Sequence, residues 1–208
     1  MSSGTVHYAW IVLLVVFVAM LAGVGVRAAP GVMILPLQEA FGWDVSTISG
    51  AISVNIMLMG ACAPFVTGLM QAIGLKRTMM GCLFILALAT GLSSFMTAAW
   101  QFYLTWGLMV GIGAGAGAVG LAGAVANRWF NHRNGFATGL LFAANAAGQL
   151  IFLPILAMMA NWYGWRGVTI GVTVAIAAVL PVVWLLLPES PAAIGIPAFG
   201  DTTVEPLR

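Results

Sequence analysis

Apolar residues in this chain do not alternate with polar ones. They come in long runs separated by short polar breaks. Six runs are read as membrane spans, at about 8–35, 45–71, 78–97, 100–127, 135–160 and 167–187. Each supplies the roughly 20 apolar residues that cross about 30 Å of hydrocarbon. Several are longer, which predicts tilt or ends that project into water. The spans are predicted to be helices, because lipid offers no partner to a free backbone amide. The clearest polar breaks are 38–44 and 128–134. Pro30, Pro64, Pro154 and Pro181 fall inside spans, where neighbouring helices and local adjustments can satisfy the carbonyls they free. The first run has no Lys or Arg before it and exceeds the core of a signal peptide, so it reads as a span.

Composition strengthens this pattern. Hydrophobic residues make up 62% of the 208 and charged residues 6%, whereas a soluble domain carries about 25% charge. Such a chain cannot cover a water-facing surface, so membrane lipid is its expected solvent. Five acids against seven Lys or Arg leave a net charge of +2, too small and dispersed for nucleic acid. Cys62 and Cys82 sit in apolar runs and read as buried free thiols, with neither a disulfide framework nor metal spacing. His7 and His132 read as isolated surface residues. No nucleophile with a base and no metal cluster is visible, so neither an enzyme nor a cofactor is expected.

Basic residues set the expected orientation. Lys76 and Arg77 lie between the second and third spans, Arg128 and Arg133 between the fourth and fifth, and Arg208 in the tail. The opposite loops hold Arg166. Both termini are therefore expected in the cytoplasm of a multi-pass cell-membrane protein. Tryptophans near span ends (Trp10, Trp43, Trp100, Trp129, Trp162, Trp165, Trp184) match an aromatic belt.

An internal repeat runs at an offset of 90 residues. It pairs Trp10 with Trp100, Gly23 with Gly113, Gly25 with Gly115, Asn55 with Asn145 and Pro64 with Pro154. Gly74 then pairs with Gly164, Lys76 with Arg166 and Gly81 with Gly171. Each unit holds three spans, an odd number, so the second must enter from the opposite side. The expected fold is an all-α bundle of six transmembrane helices built as a 3+3 inverted repeat, an arrangement found in secondary transporters. The bundle would occupy 1–188, with repeats at 8–97 and 98–188, followed by a cytoplasmic tail at 189–208.

"GAGAVG" at 115–120 has the glycine spacing of a dinucleotide cradle. That reading needs a preceding strand and an acid about 20 residues later. The preceding stretch is instead the start of a span, and no Asp or Glu occurs between Asp44 and Glu189. Gly107, Gly111 and Gly115 recur every four residues, as do Gly113 and Gly117, which predicts stripes for close helix packing.

Arg27 is the charged residue set well inside a span, about 25 Å along a helix from Trp10. It either holds an anionic solute by charge-assisted hydrogen bonds or snorkels to the headgroups. Asn145 and Gln149 share a helix face, and Asn55 is the repeat mate of Asn145. Such amides either contact solute or tie helices together. Lys76, Arg77, Arg128 and Arg133 are read as topology anchors or as gating residues.

The stretches "GVMILPLQEAFGWDVSTIS", "WQFYLTWGLMVGIGAGAG", "VANRWFNHRNGFATGLL" and "GQLIFLPILAMMANWYGWRG" resemble the major facilitator superfamily, in its monocarboxylate and oxalate–formate antiporter-like branch. "TGLMQAIGLKR" is similar to the superfamily signature between helices two and three. It carries Gln71 where an acid is usual and Ala72 where a basic residue is usual. The resemblance implies a basic residue near the substrate on helix one, where Arg27 falls. It also implies helices one and four along a central cavity. "PESPAAIGIPAFGD" looks like the start of the central loop, so a second six-helix half is expected as partner, either a missing C-terminal half or a second copy of this chain. The resulting expectation is secondary transport of a small organic anion such as a monocarboxylate by alternating access, through symport or antiport. The alternative is a non-transporting membrane interaction or regulatory protein.

Overall fold

A computed structural model describes residues 7–115, 118–197 and 199–200, without the side chains of 118 and 119. The described chain is helical: α1 (Tyr8–Phe41), α2 (Val45–Ala72), α3 (Leu75–Ser93), α4 (Ala99–Phe102), a π-helical stretch (Tyr103–Met109), α5 (Val110–Ala114), α6 (Ala118–Trp129) and α7 (Asn134–Leu186). A 3-10 turn at Ala192–Ile194 follows. Four of these helices are long and apolar enough to cross a membrane: α1, α2, α3 and α7.

The boundaries depart from the sequence reading in instructive ways. α1 continues past 35 to Phe41, with Pro30 and Pro36 inside it. The polar break at 38–44 therefore shrinks to 42–44. Gly42 stops the helix in the left-handed region (φ 67°) and donates to the Gln38 carbonyl at 2.8 Å, a glycine stop. α3 ends at Ser93 rather than 97. The expected fourth span is a succession of α, π and α pieces rather than one helix. Between 134 and 186 the chain is helical on both sides of Gly164, so no loop separates the expected fifth and sixth spans.

A straight 53-residue helix would run about 80 Å, far beyond any bilayer core. Gly164 breaks it, with φ 63° and ψ −166°, a region held almost only by glycine. Its mate at the 90-residue offset, Gly74, takes φ 100° and ψ 160° between α2 and α3. Both glycines thus adopt positive φ with an extended ψ, a backbone region that favours glycine.

The core forms where α1 packs on α7, and α3 packs on α7 and on α5. Of the most apolar stretch of α1, 61% is buried within the protein, against 6% for α2. α2 therefore presents Ile56, Met57, Phe65 and Leu69 outward. α3 and the second limb of α7 share a hydroxyl seam. Thr173 donates to Thr90 at 2.9 Å, and Ser94 and Thr169 lie 3.0 Å apart. Hydroxyl pairs of this kind join helices that hydrophobicity alone cannot drive together in lipid.

Candidate functional site

α1 and the first limb of α7 approach closely because small residues line their crossing. A Cβ on Gly148 would stand 2.9 Å from Val24 Cβ, and one on Gly25 would stand 3.1 Å from the Phe152 ring. This crossing brings Arg27 and Asn145 together across 118 residues of sequence. Arg27 Nη2 donates to Asn145 Oδ1 at 2.6 Å, and both residues are half-buried. The bond is charge-assisted, but its acceptor is neutral. Glu39, 12 residues further along α1, is about 18 Å away along the helix axis, and no acid occurs from 45 to 188. Among the described residues, the guanidinium forms no salt bridge.

Arg27 also lines a cavity of about 70 Å³ between α1, α3 and the α5–α6 segment. Its other walls include Ala19, Met20 and Gly23 from α1, Met79, Cys82, Leu83 and Leu86 from α3, and Gly113, Ala114 and Leu121. A water needs roughly 10–15 Å³ of such space, so the cavity fits a few waters or a small anion. Gly23 and Gly113, 90 residues apart, both border it.

The remaining sequence-predicted residues lie elsewhere. Asn55 Nδ2 donates to the Trp106 carbonyl at 2.6 Å, tying α2 to the π-helical stretch. Gln149 is exposed on α7. Gly107, Gly111 and Gly115 meet α2: a Cβ on each would lie 3.4 Å from the Ala51 carbonyl oxygen, 3.0 Å from Leu58 Cβ and 2.8 Å from Cys62 Cβ respectively. Gly113 faces α3, with its Cβ position 3.0 Å from Leu86. Gly117 lies outside the described residues, as does Arg208. Both cysteines are half-buried rather than fully buried, and Cys82 borders the cavity. His7 is not isolated: its Nδ1 accepts from the Ala9 amide at the start of α1, and its ring meets Phe199 edge-on at 5.4 Å. His132 is exposed.

Basic residues at one end of the bundle occupy distinct settings. Lys76 Nζ stands 5.1 Å from the centre of the Trp184 ring. Arg128 Nη2 donates to the Met70 carbonyl at 3.4 Å. Arg133 is exposed and takes a left-handed conformation (φ 64°) just before α7. Arg77 is exposed. Glu189 folds back beside Gly74 and accepts the Lys76 amide at 2.9 Å, placing a negative charge at the N-terminus of α3, where the helix dipole favours it.

Sequence reasoning missed three features. The α3 wall of the cavity consists of ordinary apolar residues and carries no signal. The pairing of Arg27 with Asn145 spans too much chain for any local pattern. The Glu189 contact did leave a trace: the turn before α3 lacks an acid, and Glu189 is the first acid after Asp44.

Comparison with known proteins places these features in context. The family model described as Major Facilitator Superfamily matches residues 15–207. Curated relatives include the uncharacterized transporter ESBP6 of Saccharomyces cerevisiae, 28% identical over 198 residues, which covers 91% of this chain and 29% of that protein. Monocarboxylate transporter 13 of Rattus norvegicus is 27% identical over 160 residues, covering 77% of this chain and 37% of its own length. The uncharacterized MFS-type transporter YcxA of Bacillus subtilis is 29% identical over 178 residues, covering 82% and 42% respectively. The chain thus spans well under half the length of each of these relatives.

Proposed function

Since this chain belongs to the major facilitator superfamily, we propose that it forms one six-span half of a secondary transporter for a small organic anion, monocarboxylate-like in size and charge. The observation that carries this reading is Arg27: a cation inside the bundle, beside a cavity, hydrogen-bonded to a neutral amide and, among the described residues, in no salt bridge. An intramembrane charge is costly and by default marks a functional site, and an incoming carboxylate supplies a counter-charge. Asn145 orients the guanidinium. Gln149, one helical turn further on α7, faces the place where a second half closes the path. Asn55, engaged with Trp106, holds the fourth span in position.

Gly74 and Gly164 turn alike, Gly23 and Gly113 flank one cavity, and Lys76 and Arg166 each lie over a tryptophan ring. These matches support an inverted 3+3 repeat in which the two limbs of α7 are separate spans. The basic ends at Lys76, Arg77, Arg128 and Arg133 support cytoplasmic termini and a gating role at that face. The outward apolar surface of α2 supports contact with a second half, on a further stretch of chain or a second copy. Alternating access then rocks two halves about the site.

The test is uptake of labelled L-lactate into proteoliposomes containing the full chain. Uptake should occur, and Arg27→Gln should lower it about tenfold or more, the worth of a hydrogen bond to a charged group. Asn145→Leu should lower it less, with both variants melting near the wild type. Unchanged uptake by Arg27→Gln would overturn the site. Absence of uptake by the wild type would show that a second copy does not complete the path, leaving a half that needs another stretch of chain or a non-transporting interaction protein.

A further inference from the structure

At the end of the bundle that carries Lys76 and Arg77, an open groove of about 890 Å³ runs between the start of α3 and the end of α7. One rim is cationic, made by Lys76 and Arg77. The wall is apolar, made by Ile73, Met80, Trp184 and Ile194. We propose that this groove binds an anionic phospholipid, with the phosphodiester on the two cations and the start of an acyl chain along Trp184 and Met80.

Charge complementarity argues for the headgroup. Glu189 is the carboxylate at the groove, and it accepts the Lys76 backbone amide. That contact uses its charge on the N-terminus of α3 and fixes the segment after α7 as a groove wall. Among the described residues, neither the Lys76 ammonium nor the Arg77 guanidinium forms a salt bridge. Lys76 instead rests over the Trp184 ring, a weak contact that leaves its donors available. Among the described residues, two cations against one engaged carboxylate leave the groove positive.

Position argues for a lipid rather than a soluble phosphate. The groove opens at the ends of membrane helices, where Trp184 is 61% and Leu185 74% exposed. An exposed indole at a span end sits at headgroup depth. Pro181 and Ala177, further from the helix end on α7, are exposed and continue this surface into the hydrocarbon. A soluble anion would leave this apolar wall uncovered, whereas a lipid covers it with an acyl chain. Basic pockets between spanning helices are recognised by anionic headgroups on this physical basis. The inference stands apart from the transport reading, since it needs neither Arg27 nor a second half.

The test uses the full chain in detergent, delipidated and then titrated with phosphatidylglycerol, phosphatidylcholine or soluble glycerol 3-phosphate. Bound lipid is read by native mass spectrometry and stability by thermal melting. Phosphatidylglycerol should bind about tenfold more tightly than phosphatidylcholine and raise the melting temperature. Lys76→Gln with Arg77→Gln should abolish that preference. Trp184→Leu should weaken both lipids while sparing charge preference. Arg128→Gln, which alters a cation outside the groove, should change neither. Equal binding of the two lipids by the wild type would overturn the proposal. So would preference retained in the double variant, or stabilisation by glycerol 3-phosphate equal to that by the lipid. Preference lost equally in Arg128→Gln would show diffuse surface charge, and the groove would fall as a site.

Discussion

Gly111→Ala and Gly23→Ala make the same chemical change in two helices with opposite surroundings. A Cβ on Gly111 would stand 3.0 Å from Leu58 Cβ, 3.1 Å from the Asn55 carbonyl oxygen and 3.3 Å from Asn55 Cα. Those atoms belong to the framework of α2 and cannot rotate away. Moving α2 would also stretch the bond from Asn55 to the Trp106 carbonyl. A Cβ on Gly23 meets nothing within 4 Å, because it points into open space. Both positions are helical, so each gains the same preference of Ala over Gly, about 1 kcal/mol. That gain cancels in the difference, leaving the overpacking cost of about 1–3 kcal/mol. At about 2–4 °C per kcal/mol for a chain of this size, Gly23→Ala should melt roughly 2–12 °C above Gly111→Ala. Thermal unfolding in detergent, followed by helical circular dichroism and tryptophan fluorescence, gives the comparison. Equal midpoints, or a less stable Gly23→Ala, would show that α5 does not press on α2 at Gly111.

Two further outcomes test the helix ends. Gly164→Ala forces a Cβ into a backbone region that costs about 1–3 kcal/mol, so its melting temperature should fall and amide exchange around 160–168 should quicken; a neutral result would mean that α7 does not break there. Glu189→Gln removes a charge at the N-terminus of α3 worth about 0.3–1 kcal/mol, so exchange at the Lys76 amide and across 188–195 should accelerate, and unchanged protection would show that the contact does not hold the segment down.

Much of the architecture was legible because the solvent dictates it. A chain with so few charges enters lipid, and lipid leaves helix as the way to satisfy its backbone. The glycines at 107, 111 and 115 announced close approach through their four-residue spacing, and their Cβ positions do meet α2. Helix ends were less legible. α1 runs through 38–41 because polar residues at a span end remain helical in water, and Gly42 stops it only by adopting a left-handed conformation. The π-helical stretch at 103–109 left no mark in composition. The candidate site was half legible: Arg27 stood out as a charge in an apolar run, while its α3 neighbours did not, being indistinguishable from core residues.

The sequence by itself determined that this protein lives in a membrane, that it is helical, and that one cation falls within the first apolar run, because hydropathy and charge are sums over local residues. The tertiary structure decided what that cation meets. Asn145 reaches Arg27 through a glycine-lined crossing 118 residues away, and Glu189 reaches the start of α3 from beyond the last helix. Such contacts depend on how rigid helices dock in three dimensions, which no local pattern along the chain encodes.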